Sequence, residues 1–273
     1  MQFRYDFSVS ELLLRVESPR ELKIPEPFRA FFLECPQTQS PDILIQFLFP
    51  SNFEQIVAED VPNAKKFDLG GGEYVLKQES SGRGSPCRIF IPPSMGDSFV
   101  TGGNWLLFME LNRLVLPFDR YFLHASGVVY RGKAYLFSAP SGGGKSTHAA
   151  LWQQHFGAKL LNGDKVLIEV RDGQCIAHGS PVAGSSGIYE RDSAPIAAVY
   201  LLKKEKQNRV YPVSPREALL SLYSQAIKEN NDPAFNTKLL DLIGKTLSSV
   251  PVRCLGCLPE KSAVECVMDR EGI

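Results

Sequence analysis

Seven consecutive residues, Ser141-Gly142-Gly143-Gly144-Lys145-Ser146-Thr147, combine a backbone free to curl, a long cation and two hydroxyls. Three adjacent glycines let several N–H groups aim at one anion. Lys145 then reaches the outer phosphates of a nucleoside triphosphate, and the Ser146 hydroxyl joins an Mg²⁺ that bridges the same oxygens. This is the pattern of a Walker A phosphate loop, with one departure. The position six before the lysine is usually glycine, and here it is Ala139. Alanine is small and the phosphate-facing glycines are intact, so the departure is minor. Two other glycine clusters, Gly70-Gly71-Gly72 and Ser80-Ser81-Gly82-Arg83-Gly84, lack a following Lys-Ser pair and read as hairpin turns.

A phosphate loop needs a strand before it and a helix after it. Residues 133–137 read as the strand and 147–156 as the helix, ending near Gly157. Around them, 123–130 form a strand joined to 133–137 by a tight turn at Arg131-Gly132. Strands at 159–162 and 165–170 flank Gly163-Asp164, and 174–178, 197–202 and 250–258 add three more. Helices are expected at 215–228, 235–249 and 261–268, the first capped by Ser214 with Pro215 in its first turn. The first hundred residues alternate short apolar runs with turns and read as β-rich. A helical pattern covers 104–116, with Pro117 ending it. The expected organisation is a β-rich region at 1–103, which docks a partner or extends the core, and a nucleotide-binding domain at 104–273.

Other residues have two readings each. Asp164 follows the loop helix and can present a carboxylate to the phosphates; equally, Asn162-Gly163 favours a two-residue β-turn with Asp164 exposed beside it. Arg191 can fork a phosphate, but a surface arginine is the simpler account. Cys254 and Cys257 lack a second pair for zinc and read as packed thiols. His148 and His155, seven apart on one helix, read as surface or interface histidines.

Composition narrows the class further. Lys plus Arg and Asp plus Glu each number 30, which favours neither nucleic acid nor an anionic membrane as partner. The six cysteines are scattered, as reduced cytoplasmic thiols are. No apolar run approaches the roughly 20 residues of a membrane helix. No basic start leads into an apolar stretch, so a secretory leader is not expected and the cytoplasm is the expected location.

The stretch from Leu123-His124-Ala125-Ser126 through the loop to His148-Ala149-Ala150-Leu151-Trp152 resembles the HPr kinase/phosphorylase-like proteins. More narrowly, it looks like the small bacterial kinases found beside modified-peptide gene clusters. The likeness continues through Leu161-Asn162-Gly163-Asp164-Lys165, Gly179-Ser180-Pro181, 194–199 and 250–255, covering about residues 117 to 270. It implies an α/β fold with a mixed-sheet core shared with ATP-dependent phosphoenolpyruvate carboxykinases. It also implies ATP and Mg²⁺ as cofactors and a serine hydroxyl on a protein or peptide as acceptor. His124 matches a histidine close to the transferred phosphate in that family; a hydrogen-bonded structural histidine is the other reading. The family's adjacent acidic pair binds metal and acts as base, and here the pair is Gly163-Asp164. Only the second carboxylate is present, so Asn162 or a water is expected to supply the missing metal contact. The family places a substrate- or phosphate-facing loop at 179–187, whose Ser185 and Ser186 could accept a phosphoryl group.

The expected catalytic set is therefore Asp164, His124 and Lys145, with residues 141–147 on the nucleotide and Ser146 and Asp164 on the metal. A kinase is the first reading, and a nucleotide-binding scaffold of a peptide-modification pathway is the second. A carboxykinase ranks last, because its longer chain and extra arginines are missing.

Overall fold

The computed structural model describes residues 2–35, 37–56, 61–62, 64–70, 73–80, 85–102, 109–182, 187–229 and 232–273. Its contacts divide the chain into two units, Met1–Leu114 and Val115–Ile273. Residues 109–114, which the sequence reading put in the second region, fall in the first unit.

The first unit carries a six-stranded sheet. Its strands are β1 (Phe3–Val9), β2 (Leu12–Ser18), β3 (Ile43–Leu48), β4 (Ala64–Gly70), β5 (Glu73–Gln78) and β6 (Pro86–Phe90), in the order β1-β2-β3-β6-β5-β4. The short helices α1 (Glu26–Arg29) and α2 (Gly96–Gly102) are among the described residues of this unit. In β3 the odd-numbered Ile43, Ile45 and Phe47 are buried and their neighbours only half so, the period of two that a one-sided sheet imposes. Both glycine clusters were read as hairpin turns. Residues 71–72 and 81–84 lie outside the described residues, and the strands flanking each pair antiparallel. Inside this unit Asp6 is buried; burial alone would raise its carboxyl, but hydrogen bonds from Arg15 and Arg4 outweigh that and hold it at about 2.

The helix expected over 104–116 is broken where it is described. Residues 104–108 lie outside the described residues, and Glu110 sits at a left-handed φ of 47°. Among the described residues of this span Met109 and α3 (Leu111–Val115) are α-helical on either side of Glu110, and Pro117 lies in the 3₁₀ turn Leu116–Phe118 that follows.

The second unit is a mixed sheet with helices on both faces. Its strands are β7 (Arg120–Tyr130), β8 (Lys133–Ser138), β9 (Lys159–Asn162), β10 (Lys165–Arg171), β11 (Gln174–His178), β12 (Ser193–Lys204), β13 (Arg209–Pro212) and β14 (Val252–Cys257). Its helices are α4 (Lys145–Phe156), α5 (Pro215–Gln225), α6 (Pro233–Ser249) and α7 (Lys261–Glu271). Strand order is β11-β10-β7-β8-β12-β14-β13. Because β11 also pairs with β12, the strands β11, β10, β7, β8 and β12 form a closed ring of pairings.

Alternation explains why these strands read as unbroken apolar runs. In β8, Ala134 and Leu136 join one core with Leu239, Leu242 and Ile243 of α6, while Tyr135 and Phe137 join another with Trp152 of α4 and Val264 of α7. A strand covered on both faces has no solvent side to mark. Tight turns supply the corners: Arg131 and Gly132 (φ 49° and 75°) join β7 to β8, and Asp172 and Gly173 (φ 50° and 77°) join β10 to β11. These paired left-handed residues match the twist of a two-residue hairpin.

One expected turn is absent. Lys165 pairs with His124 and Asn162 pairs with Gly127, three steps back on one strand and three forward on the other. No residue is looped out between them. Asn162-Gly163-Asp164 is therefore a bend within one line of chain along β7, not a hairpin turn, because pairing with β7 on both sides overrides the local turn preference of Asn-Gly.

Candidate functional site

The loop leaves the C-terminal end of β8, an inner strand flanked by β7 and β12. In open α/β sheets ligands gather at that end of the strands. The Gly143 N–H donates to the Pro140 carbonyl at 3.0 Å, closing a turn. Gly142 and Gly144 have φ of 72° and 92°, where a side chain is strained. Gly143 is required for a different reason: a Cβ there would lie 2.5 Å from the Cβ of Ala139 and 2.9 Å from the Pro140 oxygen. Ala139, the departure from the usual loop pattern, is packed into the core under Gly143.

Helix α4 starts without a cap. Gly144 has no side chain to offer, and the first intrahelical bond is from the His148 N–H to the Gly144 carbonyl at 2.9 Å. The amides of Lys145, Ser146 and Thr147 consequently have no intrahelical acceptor. By contrast, Ser214 caps α5 by accepting from the Glu217 N–H, and Asp232 caps α6 by accepting from the Phe235 N–H. An uncapped N-terminus with a glycine N-cap has its donors and its dipole available to an anion. Ser141, Gly142, Ser146 and Thr147 are exposed around it, and Gly143 and Gly144 are half-buried.

Lys145 is only 7% exposed. Its ammonium donates to the carbonyls of Ala139 at 2.9 Å and Pro140 at 3.3 Å, so it is held over the loop it follows. Burial lowers its pKa, and the negative charge of Asp164 partly offsets this. That charge comes from the bend described above. In a regular strand Asp164 would share a face with Ala125 and point away from His124. The bend turns it, and Asp164 Oδ1 lies 2.7 Å from His124 Nε2. The side chains of both remain partly open to solvent, at 30% for His124 and 23% for Asp164.

The bend is fixed by a buried frame. Asn162 Oδ1 accepts from the N–H groups of Asp164 (2.8 Å) and Lys165 (2.7 Å), and its Nδ2 donates to Ser180. The Ser180 hydroxyl donates to the Lys165 carbonyl, the Ser126 hydroxyl to the Gly163 carbonyl, and the Ala125 N–H to the Asp164 carbonyl. Beside them the Ser138 hydroxyl donates to the His124 carbonyl, tying the root of the loop to the histidine. Asn162 is fully buried with its amide committed to this frame, so it does not supply a metal contact in place of the missing carboxylate. Ser180 likewise faces this frame and not a substrate, and a Cβ on Gly179 would meet the Glu190 oxygen at 1.8 Å. The rest of that loop, 183–186, including Ser185 and Ser186, lies outside the described residues. Arg191 is exposed.

His148 is not at the surface. It is 3% exposed, its ring 4.3 Å from that of Phe137, and its Nε2 accepts from Trp152 Nε1 at 3.3 Å. Burial pushes its pKa down to about 3. Its helix puts positions 145, 148, 149 and 152 on the covered side, a stripe that the alanine-rich sequence marks weakly; His155 is exposed.

Among the described residues no group of three or more His, Cys, Asp and Glu could hold a metal by itself. One carboxylate on Asp164 and one exposed hydroxyl on Ser146 are hard oxygen donors. That sparse set suits Mg²⁺, which keeps most of its shell as water and phosphate oxygens.

No family model matches the chain, and no curated protein matches it. Among solved structures it is similar to an HPr(Ser) kinase/phosphatase from Coxiella burnetii, at 15% identity. The match covers 55% of this chain and 95% of that one, with a TM-score of 0.32. At that score the relationship is distant, and the site is read from its own residues. Among the described residues no helix is long and apolar enough to cross a membrane.

Proposed function

We propose that the unit Val115–Ile273 is an ATP-dependent phosphotransferase that moves the γ-phosphoryl group to a hydroxyl on a protein or peptide. The observation that carries this reading is the His124–Asp164 pair at 2.7 Å beside an uncapped glycine loop, with Asp164 felt by Lys145. Loop amides and Lys145 would hold the phosphates, and Ser146 and Asp164 would hold Mg²⁺, which supplies charge neutralisation on the bridging oxygens. Asp164 would receive the acceptor's proton as the new P–O bond forms and the bond to the β-phosphate breaks, releasing ADP. His124 would orient the carboxylate through its hydrogen bond. The hydroxyl acceptor rests on the resemblance to HPr kinase-like proteins alone; it, the cytoplasmic location and a docking or core-extending role for residues 1–103 are part of the proposal.

The test is calorimetric titration of MgATP into the full chain. Wild type is expected to bind, and Lys145→Ala is expected to lose binding by at least roughly a hundredfold, the loss of a buried charge contact to phosphate. A folded wild type that binds no nucleotide would overturn the proposal.

A nucleotide-binding scaffold with weak chemistry is the second reading, and Gly163 favours it, since it leaves a single carboxylate at the bend. Transfer of labelled phosphate from ATP to any acceptor at many turnovers would exclude it.

A further inference from the structure

Lys165 has no role above, yet it stands against both site residues. In the β10–β7 register it is directly opposite His124, the placement that puts two side chains on one face of a sheet. Its ammonium lies 4.0 Å from Asp164 Oδ2, while Oδ1 of the same carboxylate is engaged by His124. The backbone of Lys165 is pinned at both ends, its N–H on Asn162 Oδ1 at 2.7 Å and its carbonyl on the Ser180 hydroxyl at 2.8 Å. Its side chain is 35% exposed.

A pair 4.0 Å apart and open to water is beyond hydrogen-bond length and stabilises a fold little. The contact with Asp164 is thus a weak reason for a lysine at a position so firmly fixed. Charge gives a stronger one. Lys165 stands 4.0 Å from the carboxylate of Asp164, whose charge also acts on Lys145, so two ammonium groups share one carboxylate and positive charge is in excess between them. A neutral hydroxyl acceptor does not need that excess; a terminal phosphate with its concentrated negative charge does.

We propose that Lys165 is a second phosphate-holding residue, contacting the γ-phosphoryl group from the side of the His124–Asp164 pair while Lys145 holds the chain of phosphates from the loop. This rests on the phosphotransferase reading. No bond is made to Lys165: the γ-phosphorus bond to the bridging oxygen breaks with its electrons going to ADP, the bond to the acceptor oxygen forms, and Asp164 takes the hydroxyl proton. Lys165 offsets charge on the non-bridging oxygens throughout.

The experiment compares MgATP and MgADP binding by calorimetry for the full chain, wild type, Lys165→Gln, Lys165→Met and Lys165→Arg. Both neutral variants are expected to lose roughly tenfold in affinity for ATP, with ADP affinity unchanged within about twofold, and arginine is expected to retain most ATP affinity. Thermal melting establishes that each variant is folded, and two neutral side chains are used so that one misfolded variant does not decide the result. Equal losses for ATP and ADP, or no loss for either, would overturn the assignment of Lys165 to the γ-phosphoryl group. If wild type binds neither nucleotide, the phosphotransferase reading falls first and this one with it.

Discussion

Two histidine–carboxylate pairs lie near opposite ends of the β7–β10 register, His124 of β7 with Asp164 of the bend before β10 and Glu169 of β10 with His178 of β11, and the two ends are built to opposite purposes. At the Arg120↔Glu169 end Arg120, Glu169 and His178 are buried and both carboxylate oxygens are used, with only Arg171 reaching in from the surface. Glu169 Oε1 accepts from Arg120 Nη2 at 2.7 Å and Arg171 Nε at 2.8 Å, and Oε2 lies 2.8 Å from His178 Nε2. At the His124↔Lys165 end the carboxylate of Asp164 has one oxygen on a histidine and the other only 4.0 Å from an ammonium, with water within reach. Residue types are nearly the same. Saturation and burial separate a pair that holds a sheet together from one that can accept a proton or a metal. His148 and His155 complete the contrast, the first buried with no carboxylate and the second exposed on the same helix.

The comparison breaks first, and hardest, at its buried end. Glu169→Ala removes the carboxylate that pairs with buried Arg120 and His178, and a loss of about 3–5 kcal/mol in folding stability is expected from urea denaturation. A loss near that of a surface change would mean the buried network is not what holds this end of the sheet. At the open end the pattern reverses. Asp164→Asn should reduce phosphoryl transfer by roughly a hundredfold while the melting temperature barely moves. Equal damage to folding at both ends would erase the distinction drawn here. The third test concerns the buried histidine without a carboxylate. The folded pKa of His148, about 3, lies below its ordinary 6.5, so the unfolded chain binds more protons between those values. Its contribution to stability is complete above about pH 6.5 and declines as the pH falls toward 3, with a slope of at most about 1.4 kcal/mol per pH unit. Asp6, held at about 2 against an ordinary 3.8, adds its own loss of stability as the pH falls below about 4. His148→Gln should flatten the pH dependence of unfolding between pH 6 and 4; an unchanged slope would show that His148 is not its source.

The strand, glycine turn and helix over 133–156 were the most legible part, because their signals sit in consecutive residues. The strands of the second unit were legible too, since burial on both faces leaves apolar runs such as Ala134–Phe137. What the sequence hid was everything set by distant pairing. Asn162-Gly163 carries a strong local turn signal, yet β7 forty residues earlier keeps the chain extended through it. That pairing is what brings His124 to Asp164 and sets Lys165 opposite His124. The frame of Ser126, Ser138, Asn162 and Ser180 was equally invisible, since isolated serines carry no pattern. His148 was misplaced because the helix has alanines and glutamines where a clearer stripe would show the covered side. In the first unit the β1–β2 hairpin turns on Ser10 and Glu11, both at positive φ without a glycine to announce them.

The ring of strand pairings also sets an order of assembly. The β7–β8 hairpin closes through a two-residue turn and delivers the loop and Lys145 from contacts local in sequence, events of roughly microseconds. Joining β8 to β12 must wait for chain as distant as Ala134 and Ile196, and long-range parallel pairing is intrinsically slow. Asp164 takes its place between these two steps. During synthesis, therefore, the part that would hold phosphate is formed from chain already made, while the closure that fixes the surrounding sheet depends on chain still to come.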